Sequence, residues 1–294
     1  MKRILAALFF IAILAGIGFL ITNSNRVTPT QGKLRVVASL YPISFFANEI
    51  GGDYITVATI TPIGAEPHDY EPTTRDIANI EQSNLLILNG QIEPWGPKIM
   101  EDLKNTKTTV VVAGEKLISR GDAHVWLDPV LAKQEAIKIS EALIRADPTH
   151  ASSYTTNMKK LGEKLDALDV AFKNGLAHCQ QKNIITSHAA FGYIAARYNL
   201  LQLSIAGLSP DEEPSPQKLA EISQFIKEHN IQYIFFESLV SPRLSQTIAR
   251  ETGATTIIFN PLEGLTHEEV SNSADYFLLQ KQNLDNLKIA LSCI

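Results

Sequence analysis

Residues 148–179 read PTHASSYTTNMKKLGEKLDALDVAFKNGLAHC, and the way this stretch folds decides how the rest of the chain is organised. Tyr154, Met158, Leu161, Leu165, Leu168 and Phe172 recur at steps of three or four, with only Gly162 as a turn signal among them. That spacing predicts one helix of roughly 30 residues, about 45 Å long. On both sides of it the pattern changes to short apolar runs alternating with amphipathic ones. Before it, strands are predicted over 34–39, 55–60, 85–89 and 109–113, with helices over 43–50, 74–82 and 93–103. After it come strands over 183–187, 231–237 and 254–260, helices over 191–198, 216–229 and 242–251, and a closing helix over 267–291. The expected fold class is α/β: two doubly wound lobes with mainly parallel sheets, joined by one long rigid helix. The lobes occupy 32–147 and 181–294, with the linking helix over 148–180. A single stiff connection disfavours large closure between the lobes.

The 294 residues suffice for two such lobes, and 45% apolar with 19% charged residues is the makeup of a chain with a real core. Lys and Arg total 26 against 31 Asp and Glu, a net charge of -5, and no basic run occurs, which argues against a nucleic-acid partner. Lys2 and Arg3 precede an uncharged stretch, ILAALFFIAILAGIGFLI over 4–21, which reads as an export signal. At roughly 27 Å as a helix it can also cross a bilayer. Residues 1–31 are therefore expected to be a cleaved signal or an N-terminal membrane anchor with a short linker. The body lies outside the cytoplasm in either case, because the positive end stays inside.

Seven histidines are present, and three fall where strands end. His68 follows the strand at 55–60 within TPIGAEPHDYEPT. His124 follows the strand at 109–113 within GDAHVWLDP, just before a helix that Asp128 and Pro129 can start. His188 ends the strand at 183–187 within IITSHAAFGY. Open α/β sheets bind ligands at the carboxyl ends of their strands, so these three can converge in a cleft between the lobes. Three imidazoles suit a borderline metal such as zinc, whereas manganese or magnesium recruits more carboxylates. Taken singly, a histidine is more often a hydrogen-bonded surface residue, and Pro67, Asp69 and Tyr70 can be simple turn chemistry. His150 and His178 flank the linking helix, and His229 ends a helix where its charge suits the dipole. His267 opens THEEV, which lacks the second histidine of a zinc-protease motif and reads as a capping box of Thr266 and Glu269. Neither a nucleophile elbow nor a P-loop nor a dinucleotide fingerprint is present, so no enzyme is expected.

The stretches PIGAEPHDYEPT, AHVWLDP, SHAAFGYIAARY, GLSPDEEPSP, YIFFESLVSP and FNPLEG occur in this order. Together they resemble the metal-binding solute-binding proteins of ABC importers, the cluster A-I or TroA-like family, over essentially the whole chain after Lys33. The resemblance implies two α/β lobes on a rigid helix with a divalent metal in the cleft, held by His68, His124 and His188. It points to the zinc members, since manganese members tend to carry glutamate at the position of His188. Where the family commonly has aspartate this chain has Asn260. The fourth ligand is accordingly open between Asn260, water, Glu66 and Glu237. The segment GEKLISRGDAH is short and lacks the histidine-rich loop of many zinc members.

The reading is a monomeric extracytoplasmic protein that captures Zn2+ and delivers it to an ABC permease. Its rivals are Mn2+ or Fe2+ capture, a secreted zinc hydrolase, and a surface attachment protein with a structural metal. Finally, Cys179 precedes the strand that runs to His188, so it lies at the end of the second lobe away from the cleft. The closing helix runs back across that lobe and brings Cys293 to the same end. A Cys179–Cys293 disulfide is expected, as export to an oxidising compartment permits.

Overall fold

The computed structural model describes residues 32–294, and the export signal or anchor expected over 4–21 lies outside the described residues. Four strands form the first sheet: β1 (Leu34–Ala38), β2 (Ile55–Thr59), β3 (Leu85–Leu88) and β4 (Thr109–Val112), all parallel in the order β2-β1-β3-β4. A second sheet repeats the plan with β5 (Asn183–Thr186), β6 (Leu201–Ser204), β7 (Tyr233–Phe236) and β8 (Thr255–Ile258) in the order β6-β5-β7-β8. Each lobe starts at a central strand, winds to one edge, and then crosses back to fill the other side. The two-lobe α/β expectation holds. Both switch points, where the winding reverses, open at the carboxyl ends of the strands.

Helices α1 (Tyr41–Gly51), α2 (Thr74–Glu81), α3 (Gly96–Asp102) and α4 (Pro129–Ala146) belong to the first lobe. Asp128 starts α4 as anticipated, accepting hydrogen bonds from the Val130 and Leu131 amides ahead of Pro129. The linking helix α5 (Ala151–Gly175) has 25 residues, so it spans about 37 Å. A single 3-10 turn, Pro148–His150, precedes it, so the helix is shorter than expected at both ends. Tyr154, Leu161, Leu165, Leu168 and Phe172 form its buried face. At Gly162 an added Cβ would lie 3.2 Å from the end of the flexible Lys133 side chain of α4.

The second lobe adds α6 (Gly192–Arg197), α7 (Pro216–Glu228), α8 (Arg243–Thr252), α9 (His267–Ser271) and α10 (Tyr276–Ala290). Here the structure departs from the sequence reading twice. Strand β6 was not anticipated: its four residues, LQLS, offer no apolar run, and Leu201 is 66% exposed on the sheet edge. The closing helix expected over 267–291 is two helices. The break falls at Asn272 to Asp275, where Ser273 takes a positive φ of 54° and Asp275 caps the Leu278 amide to begin α10. Small polar side chains that bond their own backbone favour such a break.

Helix α10 gives the lobes a second connection beside α5. Tyr276 at its start stacks on Phe45 of α1, and its hydroxyl donates 2.6 Å to the Trp126 carbonyl. The far end of α10 leads to Cys293, which is bonded to Cys179 across 114 residues as expected. One apolar cluster runs from Val36, Phe46 and Trp126 through Tyr154 and Phe172 to Phe191, Phe235 and Phe259. The core is thus continuous between the lobes, which reinforces the stiffness expected from the helix alone.

Candidate metal centre

The carboxyl ends of β2, β4, β5 and β8 each deliver one side chain to a common point. His68 comes from the loop between β2 and α2, and His124 from the segment between β4 and α4. His188 lies just beyond β5, and Glu263 follows β8. The Nε2 atoms of His68 and His124 are 3.3 Å apart, as are those of His124 and His188. Glu263 Oε1 lies 2.8 Å from His124 Nε2, 3.3 Å from His68 Nε2 and 3.5 Å from His188 Nε2. For a tetrahedral ion with bonds of about 2.0 to 2.1 Å, neighbouring donors should be about 3.3 to 3.4 Å apart. Five of the six separations thus fall near that value, and all four atoms lie within 4.8 Å of one another, a grouping that can hold such an ion.

The far sides of two imidazoles fix which nitrogen faces that point. His188 Nδ1 donates 2.6 Å to Glu237 Oε1, an oxygen that also accepts from the Ser187 hydroxyl. His124 Nδ1 donates 2.8 Å to Asp122 Oδ1, which also accepts from the His124 amide. With the Nδ1 protons committed, both Nε2 atoms turn lone pairs inward. Lone pairs that face one another and a carboxylate oxygen need positive charge between them. Protons can supply it, and a divalent ion supplies more.

The electrostatics agree. Burial alone would push the His188 imidazole down, but Glu237 and Glu263 outweigh it and hold it well above the ordinary 6.5. His124 is held up in the same sense, burial being outweighed by Asp122 and Glu263. Burial would raise Glu263, yet hydrogen bonds from His124, His188 and His68 hold it well below the usual carboxylate range. Glu66 goes the other way, pushed up to about 9 by burial and by the charge of Glu263. Glu66, Glu237 and Glu263 each keep a buried Oε2 without a hydrogen-bond partner.

Of the side chains considered for the fourth position, Asn260, Glu66 and Glu237, none lies in the cluster, and Glu263 does. Asn260 is turned away: its Nδ2 donates 2.7 Å to Glu269 and its Oδ1 accepts from the Leu262 amide at 2.8 Å. It shapes a turn, in which Leu262 takes a positive φ of 56° and Glu263 swings back to the cleft. Glu237 stands behind His188, and Glu66, two residues before His68, accepts from the His68 amide at 3.0 Å. The sequence carries one signal for Glu263: it is the one charged residue of FNPLEG, a stretch otherwise apolar or turn-forming just after the last strand. The unanticipated β6 also contributes, through Gln202, whose Nε2 donates 3.1 Å to the His188 carbonyl. The remaining histidines stay outside the cluster. His229 bonds the Phe225 carbonyl at a helix end, and Thr266 and Glu269 form the capping box beside His267.

A family model described as the periplasmic zinc-uptake complex component A, ZnuA, matches residues 36–290. The chain belongs to the ZnuA family. It is 38% identical over 280 residues to the high-affinity zinc uptake system protein ZnuA of Bacillus subtilis, with 88% of each chain covered. It is 35% identical over 291 residues to the zinc-binding lipoprotein AdcA of Streptococcus pneumoniae, where it covers 92% of itself but spans only 58% of AdcA. The crystal structure of the Zn(II)-bound ZnuA-like domain of that AdcA superposes with a TM-score of 0.80 at 36% identity, covering 88% of this chain and 99% of the domain.

Proposed function

We propose that this ZnuA-family chain captures a zinc ion outside the cytoplasm, through His68, His124, His188 and Glu263, and hands it to an ABC-type permease. The observation that carries the reading is the meeting of three Nε2 atoms and one carboxylate oxygen within 4.8 Å of one another, five of the six pairs being 2.8 to 3.5 Å apart. Three imidazoles with one carboxylate favour zinc over manganese, which takes more oxygen ligands and water. Four protein donors also complete the tetrahedron and leave no open position at which water is activated, which speaks for a binder and against a hydrolase. The names of the relatives, zinc uptake and zinc binding, point the same way. Delivery to a permease and an extracytoplasmic body follow from the family and from the export signal over 4–21. Metal analysis and competitive titration of residues 32–294 with zinc, manganese and iron test the reading. One zinc per chain, held in preference to manganese, is expected. Failure to bind zinc, or a preference for manganese, would overturn it.

A further inference from the structure

His124 belongs to the first lobe by sequence, but the second lobe holds the turn that carries it. Ser119 and Asp122 face each other across a tight turn in which Arg120 and Gly121 both have positive φ, 56° and 77°. Tyr193 of α6 reaches across from the second lobe. Its hydroxyl accepts from the Ser119 amide at 2.8 Å and donates to the Asp122 carbonyl at 2.7 Å. The residue before it, Gly192, admits the Asp122 carboxylate: a Cβ there would lie 2.8 Å from Oδ2. From the first lobe, Asn89 Nδ2 donates 3.0 Å to the Ala123 carbonyl one residue on. The segment is therefore gripped from both lobes immediately before His124, and Asp122, the residue gripped, is the one whose carboxylate orients the His124 ring.

We propose that Tyr193 is a positioning residue for metal binding: it fixes Asp122, and through Asp122 the Nε2 of His124, relative to His188 on its own lobe. The proposal rests on the zinc reading above. A ring displaced by a fraction of an ångström loses bond strength at the ion, because coordination geometry is set by what stands behind each ligand. Ser119, Arg120 and Gly121 are exposed and Asp122 is half-buried, so water can take the place of the lost hydroxyl and the fold has little reason to suffer.

Tyr193→Phe in residues 32–294 tests this, read as zinc dissociation rate and affinity in the parent and in a His124→Ala background. In the parent background the variant should release zinc about tenfold faster, with the melting temperature of the metal-free protein unchanged to within about 2 °C. In the His124→Ala background the same change should alter release less than about twofold, since there is no ring left to position. The visible spectrum of the cobalt-loaded Tyr193→Phe protein should shift from that of the parent. Equal effects in the two backgrounds would make Tyr193 a general structural residue and overturn the proposal. A parent that binds zinc tightly, with Tyr193→Phe identical to it in rate and spectrum, would overturn it alone. A parent that takes up no zinc would overturn the zinc reading and this proposal together.

Discussion

His188 and His68 aim a nitrogen at the same point from opposite lobes, but they are held there differently. His188 is fully buried, its Nδ1 is fixed by Glu237, and its carbonyl is tied to Gln202 and Thr186. His124 shares this character, with Asp122 behind it and Trp126 anchored to the Pro261 carbonyl nearby. The side chain of His68 is 12% exposed, and it sits on the long connection from β2 to α2. Among the described residues no hydrogen bond or ion pair engages its Nδ1. The difference separates a fixed cup, made by His124, His188 and Glu263, from a single less constrained ligand at its mouth. With the lobes stitched by α5, α10 and a common core, His68 is the donor of the four that is least held from behind.

Acid should do the most to the cup. In the metal-free protein His124 and His188 are held above 6.5, so each keeps a proton at a pH where a free imidazole has begun to lose it, and zinc must displace both. As the pH is lowered, affinity should therefore begin to fall while still above pH 6.5 and steepen toward about a hundredfold per pH unit, about tenfold for each proton. Calorimetry in buffers of different ionisation enthalpy would count the protons; no release at neutral pH would break the distinction between cup and mouth.

Removing a cup ligand comes next. His188→Ala should weaken zinc binding by about a hundredfold, about 2.7 kcal/mol, since it also strands Glu237 in the core. His68→Ala should cost about tenfold, mostly as faster dissociation, because the remaining three donors stay in place. A competition assay with a chelator measures both, and equal losses would mean that the backing carboxylates do not matter. Smallest of all should be Asn260→Asp. Its side chain lies outside the cluster, so zinc affinity and the zinc-to-manganese preference should change less than about twofold, while a carboxylate set against Glu269 lowers the melting temperature.

Three of the four clustered residues were legible because each histidine follows a strand, and strand ends are where such sheets bind ligands. The pairing of Cys179 with Cys293 was legible for a related reason: strand direction sends Cys179 to the far end of the second lobe, and the closing helical segment returns Cys293 to the same end. Glu263 was not, because its place depends on Leu262 adopting a positive φ, which no leucine signals in a sequence. Asn260 looked like a ligand and proves to be the residue that makes that turn. Strand β6 stayed hidden because an exposed edge strand of four residues has no apolar signature, and the division between α9 and α10 because polar caps compete with an otherwise helical pattern.

Zinc K-edge X-ray absorption of the loaded protein tests the central claim most directly. The account predicts four nitrogen or oxygen neighbours at about 2.0 to 2.1 Å, with outer-shell scattering from three imidazoles. A shell of five or six oxygen-rich donors, or scattering from fewer than three imidazoles, would contradict it.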